Sequence, residues 1–263
     1  MKLRISLVLL LSMMTFAFPA ICDDIKVAAA SDLQFALREL GNSFQQQTGH
    51  KLVVSFGSSG NLYSQIRSGA PYDLFFSADM DLPRQLVQNG LAEPDTFYRY
   101  GRGWLVLWAP KSSNIDPRAL KMNALLAPGV EKIAIANPQH APYGRAAEAA
   151  LRSAKLYDQL RPKLVFGENI SQAAQFVQSG NAQLGILAQS LVLAPAMHDK
   201  GSWWELPSDI YPPIDQAVVL LKSAEHVQAA RAFLAFLKTP AARHTLDIYG
   251  FRSTPGGTFA SGK

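Results

Sequence analysis

Two serines carry the first chemical signal. Ser31 ends the run Ala28-Ala29-Ala30-Ser31, with Asp32 next, and Ser59 lies in Phe56-Gly57-Ser58-Ser59-Gly60-Asn61. Each follows an apolar stretch that reads as a strand and precedes an amphipathic stretch that reads as a helix. A serine at such a junction offers a hydroxyl and a main-chain N–H together. The helix start adds unpaired N–H groups and a partial positive charge. Either serine alone could be an ordinary helix N-cap. Two of them in adjacent βα units, at one edge of one sheet, favour an anion site. Two later turns match them: Asn137-Pro138-Gln139-His140-Ala141-Pro142-Tyr143-Gly144 and Glu168-Asn169-Ile170-Ser171. There a main-chain N–H of Tyr143 or Ile170, and the Tyr143 hydroxyl, would face a cleft. Lys and Arg are missing from all four turns except for Arg145, just inside a helix. Neutral donors and helix dipoles suit a fully deprotonated oxyanion, which only accepts hydrogen bonds.

Catalysis finds little support. Gly57-Ser58-Ser59-Gly60 does not have the G-x-S-x-G spacing of a hydrolase nucleophile. The histidines (His50, His140, His198, His226 and His244) form no i, i+4 pair and no metal-ligand pattern. Of these only His140 falls in a candidate turn, where it reads as a cleft-rim residue.

The elements that must position these turns alternate. Ile25–Ala30, Lys51–Phe56 and Asp73–Ser77 read as strands; Asp32–Gln47 and Asn61–Ser68 read as helices, and a third helix starts at Asp79. Leu33, Leu37, Leu40 and Phe44 fall on one face of the first helix. Alternation of this kind means βαβ units and a mostly parallel sheet. Phe97–Pro110 reads as one long extended segment that leaves this lobe. A second series follows: strands Lys132–Ala136, Leu164–Phe166 and Leu184–Leu187, with helices Gly144–Ser153 and Ile170–Ser179. The chain returns near Pro212–Gln216, with strand Ala217–Lys222 and closing helices His226–Leu237 and Ala241–Tyr249. The expected fold class is therefore α/β with two lobes and two crossover segments as a hinge. Lobe I takes residues 23–102 and 216–263, and lobe II takes 103–215. The ligand belongs in the cleft between them. The Ser253–Lys263 tail, rich in Gly, Ser and Thr, is expected to fray.

Residues 1–22 read as a signal peptide. Lys2 and Arg4 precede an apolar run from Leu7 to Phe18, too short to span a bilayer, and Ala20 lies three residues before a cut after Cys22. A lipoprotein beginning at Cys22 is the alternative, opposed by the bulky Ile21. Cys22 is the only cysteine, so the exported chain must be stable without disulfides. Losing that leader lowers the formal charge from +5 to +3. With no Lys/Arg run, nucleic acid is not an expected partner.

At this point the residues resemble a known family, the periplasmic molybdate-binding (ModA) components of ABC transporters. The matching pieces are AAASD at 28–32, FGSSGNL at 56–62, GAPYDLFFSAD at 69–79, NPQHAPYG at 137–144, ENISQA at 168–173, LGIL at 184–187 and YGF at 249–251. They occur in order across nearly all of the exported chain. The resemblance implies a type II periplasmic-binding fold, a periplasmic location, a monomer, a membrane permease as partner, and no cofactor. Molybdate or tungstate would be the ligand, with molybdenum present only inside molybdate and held through its oxygens. Carried over by position, Ser31 and Ser59 would bind through hydroxyl and N–H, and Ile170 through N–H. One branch of the family uses a tyrosine after the LGI strand, where this chain has Ala188. Another places it in the APYG turn, so Tyr143 is the expected hydroxyl donor. Asp32 replaces the Leu, Asn or Thr that the resemblance leads one to expect. It should point away from the anion or cap its helix; if it faces inward, a protonated ligand such as hydrogen phosphate becomes plausible. Sulfate, phosphate or another small oxyanion in the same fold is the alternative function. A regulatory domain of related fold would need a DNA-binding helix-turn-helix where this chain has its leader.

Overall fold

The computed structural model describes residues 23–252; residues 1–22, read above as a signal peptide, and the Ser253–Lys263 tail lie outside these. The first series forms β1 (Asp24–Ala30), β2 (Lys51–Gly57) and β3 (Leu74–Ser77), with α1 (Gln34–Thr48), α2 (Ser59–Arg67) and α3 (Asp81–Gln88). A 3-10 turn, Ser31–Leu33, leads into α1. Phe97–Pro110 is divided by Trp104 into β4 (Tyr98–Gly103) and β5 (Leu105–Pro110). The second series forms α4 (Pro117–Leu120), β6 (Ile133–Ala136), α5 (Pro142–Ser153), α6 (Tyr157–Leu160), β7 (Leu164–Gly167), α7 (Ile170–Gln178), β8 (Leu184–Ala188), α8 (Gln189–Val192) and β9 (Gly201–Glu205). The chain closes with β10 (Ile214–Leu220), α9 (Val227–Phe236) and α10 (Pro240–Ile248).

Two five-stranded sheets result, ordered β2-β1-β3-β10-β4 and β7-β6-β8-β5-β9. Their topologies are equivalent. In each, three strands run parallel, the fourth is reversed, and the fifth is antiparallel to the fourth. Four strands of each sheet therefore point the same way. The reversed strands, β5 and β10, are the first strands laid down after each crossing between sheets. Trp104 is the single residue separating β4 in one sheet from β5 in the other, and it is buried.

The burial pattern follows strand position. Ile25 and Val27–Ala29 on central β1 are sealed on both faces, as a helix-covered parallel strand requires. Edge strand β2 alternates between exposed and half-buried residues. Each sheet has its own core. Phe44, Phe76 and Phe233 pack together beneath the first, and Trp108, Ile135 and Leu187 lie in the second. Among the described residues, no helix is long and apolar enough to cross a membrane.

Candidate oxyanion-binding site

The four junctions read from the sequence meet at one place. They follow β1, β2, β6 and β7, which occupy equivalent positions in the two sheets. The site is thus assembled from two matched pairs of strand ends, one pair per lobe. Ser31, Asp32, Ser59, Tyr143 and Ile170 all line one small pocket, and no Lys or Arg lines it.

Each junction leaves a donor for a reason visible in its own turn. Asn169 caps α7, its Oδ1 accepting from the N–H groups of Ser171 and Gln172 at 3.0 and 3.1 Å. The Ile170 N–H, one residue earlier, has no such acceptor. Pro142 opens α5 without an N–H, and Gly144 and Arg145 donate to the Ala141 carbonyl at 3.0 and 3.1 Å. That leaves the Tyr143 N–H as the free amide of the turn. Fully buried Ser59 accepts at Oγ from the Ala78 N–H at 3.0 Å, which leaves its own proton free to donate inward. Ser31 is engaged differently. Its hydroxyl donates to Asn169 Oδ1 at 3.1 Å, and Ser171 Oγ donates to the Ser31 carbonyl at 2.9 Å.

The lobes are closed on each other. The Gly60 N–H donates to the His140 carbonyl at 2.9 Å, and His140 Nδ1 lies 3.0 Å from Ser58 Oγ. Ser190 Oγ donates to the Asp32 carbonyl at 2.9 Å. Arg145 pairs with Asp79, and Asn61 with Glu168, across the same divide. A wider groove of about 710 Å³ borders the cavity at Ala78 and Pro142. Its guanidiniums are occupied: Asp215 holds Arg99 and Arg102, both at 2.7 Å, Asp81 holds Arg84 at 2.9 Å, and Asp79 holds Arg145.

Sequence reasoning missed Gln216. It is completely buried on β10, where its Nε2 donates to Asp32 Oδ2 at 2.7 Å and to the Tyr143 hydroxyl at 3.1 Å. Its Oε1 accepts from the Tyr100 hydroxyl at 2.6 Å. The available signal was an amide next to the apolar run Ala217–Leu220, since a buried polar side chain needs partners. Asn169 as a cap and Ser171 as an inter-lobe donor were also missed.

Asp32 neither caps its helix nor turns away, as the sequence led one to expect: it lines the pocket, buried at 1% exposure, and its second oxygen, Oδ1, has no partner. Burial pushes its carboxyl up to about 6, offset in part by the Gln216 amide, the Tyr143 hydroxyl and local main-chain N–H groups. Burial also holds the Tyr143 and Tyr100 hydroxyls well above their ordinary range, so both remain neutral donors. The raised Asp32 value has a signed consequence for stability. The folded protein keeps a proton that the unfolded chain sheds from about pH 4 upward. The stability this contributes is present below about pH 4 and is lost as pH rises through about 6; at neutral pH the buried charge costs about 3 kcal/mol. Asp32→Asn is expected to raise the melting temperature at pH 7.5 and to change it much less at pH 4. Equal gains at both pH values, read by calorimetric melting, would exclude ionisation as the cause.

Two lobes meeting over a pocket lined by hydroxyls, main-chain N–H groups and one carboxylate have the architecture of a solute-binding protein. The chain belongs to the bacterial extracellular solute-binding protein family, whose model matches residues 25–252. It is 39% identical to the molybdate-binding protein ModA of Rhodobacter capsulatus over 249 residues, covering 95% of this chain and 96% of that one. It is 38% identical to ModA of Azotobacter vinelandii over 230 residues, covering 87% and 89%. The solved periplasmic molybdate-binding protein of Azotobacter vinelandii superposes with a TM-score of 0.81 at 36% identity, covering 88% of this chain and all of that one.

Proposed function

We propose that this chain captures molybdate or tungstate between its lobes outside the cytoplasm and delivers it to the membrane permease of an ABC transporter. The observation that carries the reading is the donor set itself. Hydroxyls and main-chain N–H groups from four junctions converge with no Lys or Arg in the cavity wall. Relatives with molybdate-binding names at up to 39% identity support the choice of guest. In this reading Ser31, Ser59, Tyr143 and Ile170 hold the anion oxygens, and Asp32 stands beside them. For Ser31 to donate, its proton must turn from Asn169 Oδ1 to the guest. The lobes are residues 23–102 with 216–263, and 103–215, hinged where Trp104 joins β4 to β5. The protein works as a monomer, exported by its N-terminal leader.

Ligand linkage tests this directly, because only the folded state binds. Molybdate at about a hundred times its Kd should add about 2.7 kcal/mol. For a domain of this size that corresponds to a rise in Tm of roughly 5–10 °C. Tungstate should match it, and sulfate or phosphate at the same concentration should do far less. Equal shifts with sulfate would favour the alternative, a general small-oxyanion carrier.

A further inference from the structure

We propose that Asp32 determines which charge state the site accepts: the cage takes up one proton together with its anion and holds a tetrahedral dianion beside a neutral carboxylic acid. The inference rests on the oxyanion reading above and deepens it.

The geometry is specific. Asp32 Oδ2 is satisfied by Gln216 Nε2, but Oδ1 is buried with no partner, in a residue that lines the cavity. Gln216 has both amide protons committed, one to Asp32 and one to the Tyr143 oxygen. Its carbonyl is committed to Tyr100. Tyr143 is therefore already an acceptor, with a single proton to give. That proton can serve the Asp32 carboxylate or the guest, but not both. Once the guest has it, an ionised Asp32 would be a second anion in the same closed space, lacking a donor at Oδ1.

No cation relieves this. The titratable groups facing Asp32 are the hydroxyls of Tyr143 on α5 and Tyr100 on β4, both neutral. Asn169 and Ser171 of α7, Ser190 of α8 and Gln216 of β10 are uncharged. Arg99 and Arg102 on β4 are bound to Asp215, and Arg145 on α5 is bound to Asp79. On α1, Arg38 lies over the Phe56 ring and Glu39 accepts from Tyr249. A solvent proton on Oδ1 removes the conflict. The only new covalent bond is that O–H, and it converts the orphan acceptor into a donor in a residue that lines the pocket.

The sign follows from linkage. The bound state holds more protons than the empty state wherever the empty site is ionised, which is above about pH 6. There the apparent Kd for molybdate should rise about tenfold per pH unit, and below it Kd should level off. Titration calorimetry of the chain with molybdate at pH 6, 7 and 8, each in two buffers of different ionisation enthalpy, reads the proton count. About one proton taken up per anion at pH 8 is expected, falling toward pH 6. In Asp32→Asn the uptake should vanish and the pH slope flatten. Tight binding with no proton uptake at pH 8 in the unsubstituted chain would overturn the inference and leave the oxyanion reading standing. A slope that persists in Asp32→Asn would place the proton elsewhere, as on the guest, and would also overturn it. No molybdate binding at any pH would instead remove the parent reading.

Discussion

Gly60→Val is expected to give a protein that folds normally and no longer retains molybdate. Gly60 lies in the first turn of α2, and a Cβ built there falls 2.6 Å from the His140 carbonyl oxygen and 3.1 Å from its Cα and Cβ. Those atoms belong to the opposite lobe, so the collision exists only when the lobes are shut. With the lobes apart, the side chain meets no such obstacle, and a helix prefers valine to glycine by a few tenths of a kcal/mol. The substitution also displaces the Gly60–His140 hydrogen bond. If blocking closure costs about 3 kcal/mol, affinity falls by roughly 100-fold or more. Titration calorimetry would show the loss, and melting of the empty protein would show no destabilisation. Affinity within threefold of the unsubstituted chain would mean that the lobes do not need this contact to trap the guest.

Ser59→Ala should weaken molybdate binding by about 1–3 kcal/mol, roughly 5- to 150-fold, through loss of one donor to a charged guest. This position has a second cost. Ser59 Oγ is the acceptor for the buried Ala78 N–H, so the empty protein should also lose about 1–2 kcal/mol. Calorimetry with molybdate and denaturant melts without it separate the two effects. Lower stability with unchanged affinity would make Ser59 a brace for β3 and remove it from the anion shell.

The parts legible in the sequence were those governed by local physics. The strand-to-helix junctions at Ser31, Ser59, Tyr143 and Ile170 announced themselves because helix starts have a composition of their own, and all four meet at the cavity. The strand Ile25–Ala30 was visible as an apolar run interrupted only by Lys26. Other features depend on partners distant in sequence. β9, Gly201–Glu205, was not anticipated: every residue in it is half-buried, so it shows neither an apolar run nor clean alternation. β10 begins at Ile214 rather than Ala217 because Ile214, Asp215 and Gln216 pair with Gly103, Arg102 and Gly101. Nothing in the local composition of Asp215-Gln216 signals that pairing. The matched strand order of the two sheets is likewise hidden, since topology repeats here without a sequence repeat. Asp32 could be named from sequence, but its charge state could not, because that depends on Gln216, 184 residues away.

The separate origin of β10 also constrains how the molecule is made. The β5–β9 sheet draws on one continuous stretch of chain and can be completed from it. The other sheet cannot, because β3 pairs with β10, matching Leu74–Ser77 to Ala217–Leu220. Pairing across that separation is slow and comes late. The two serine turns are therefore synthesised long before the strand that carries the Asp32 partner. The pocket lined by the two serine turns is therefore complete only when almost the whole polypeptide has been made, because a shorter chain lacks Gln216.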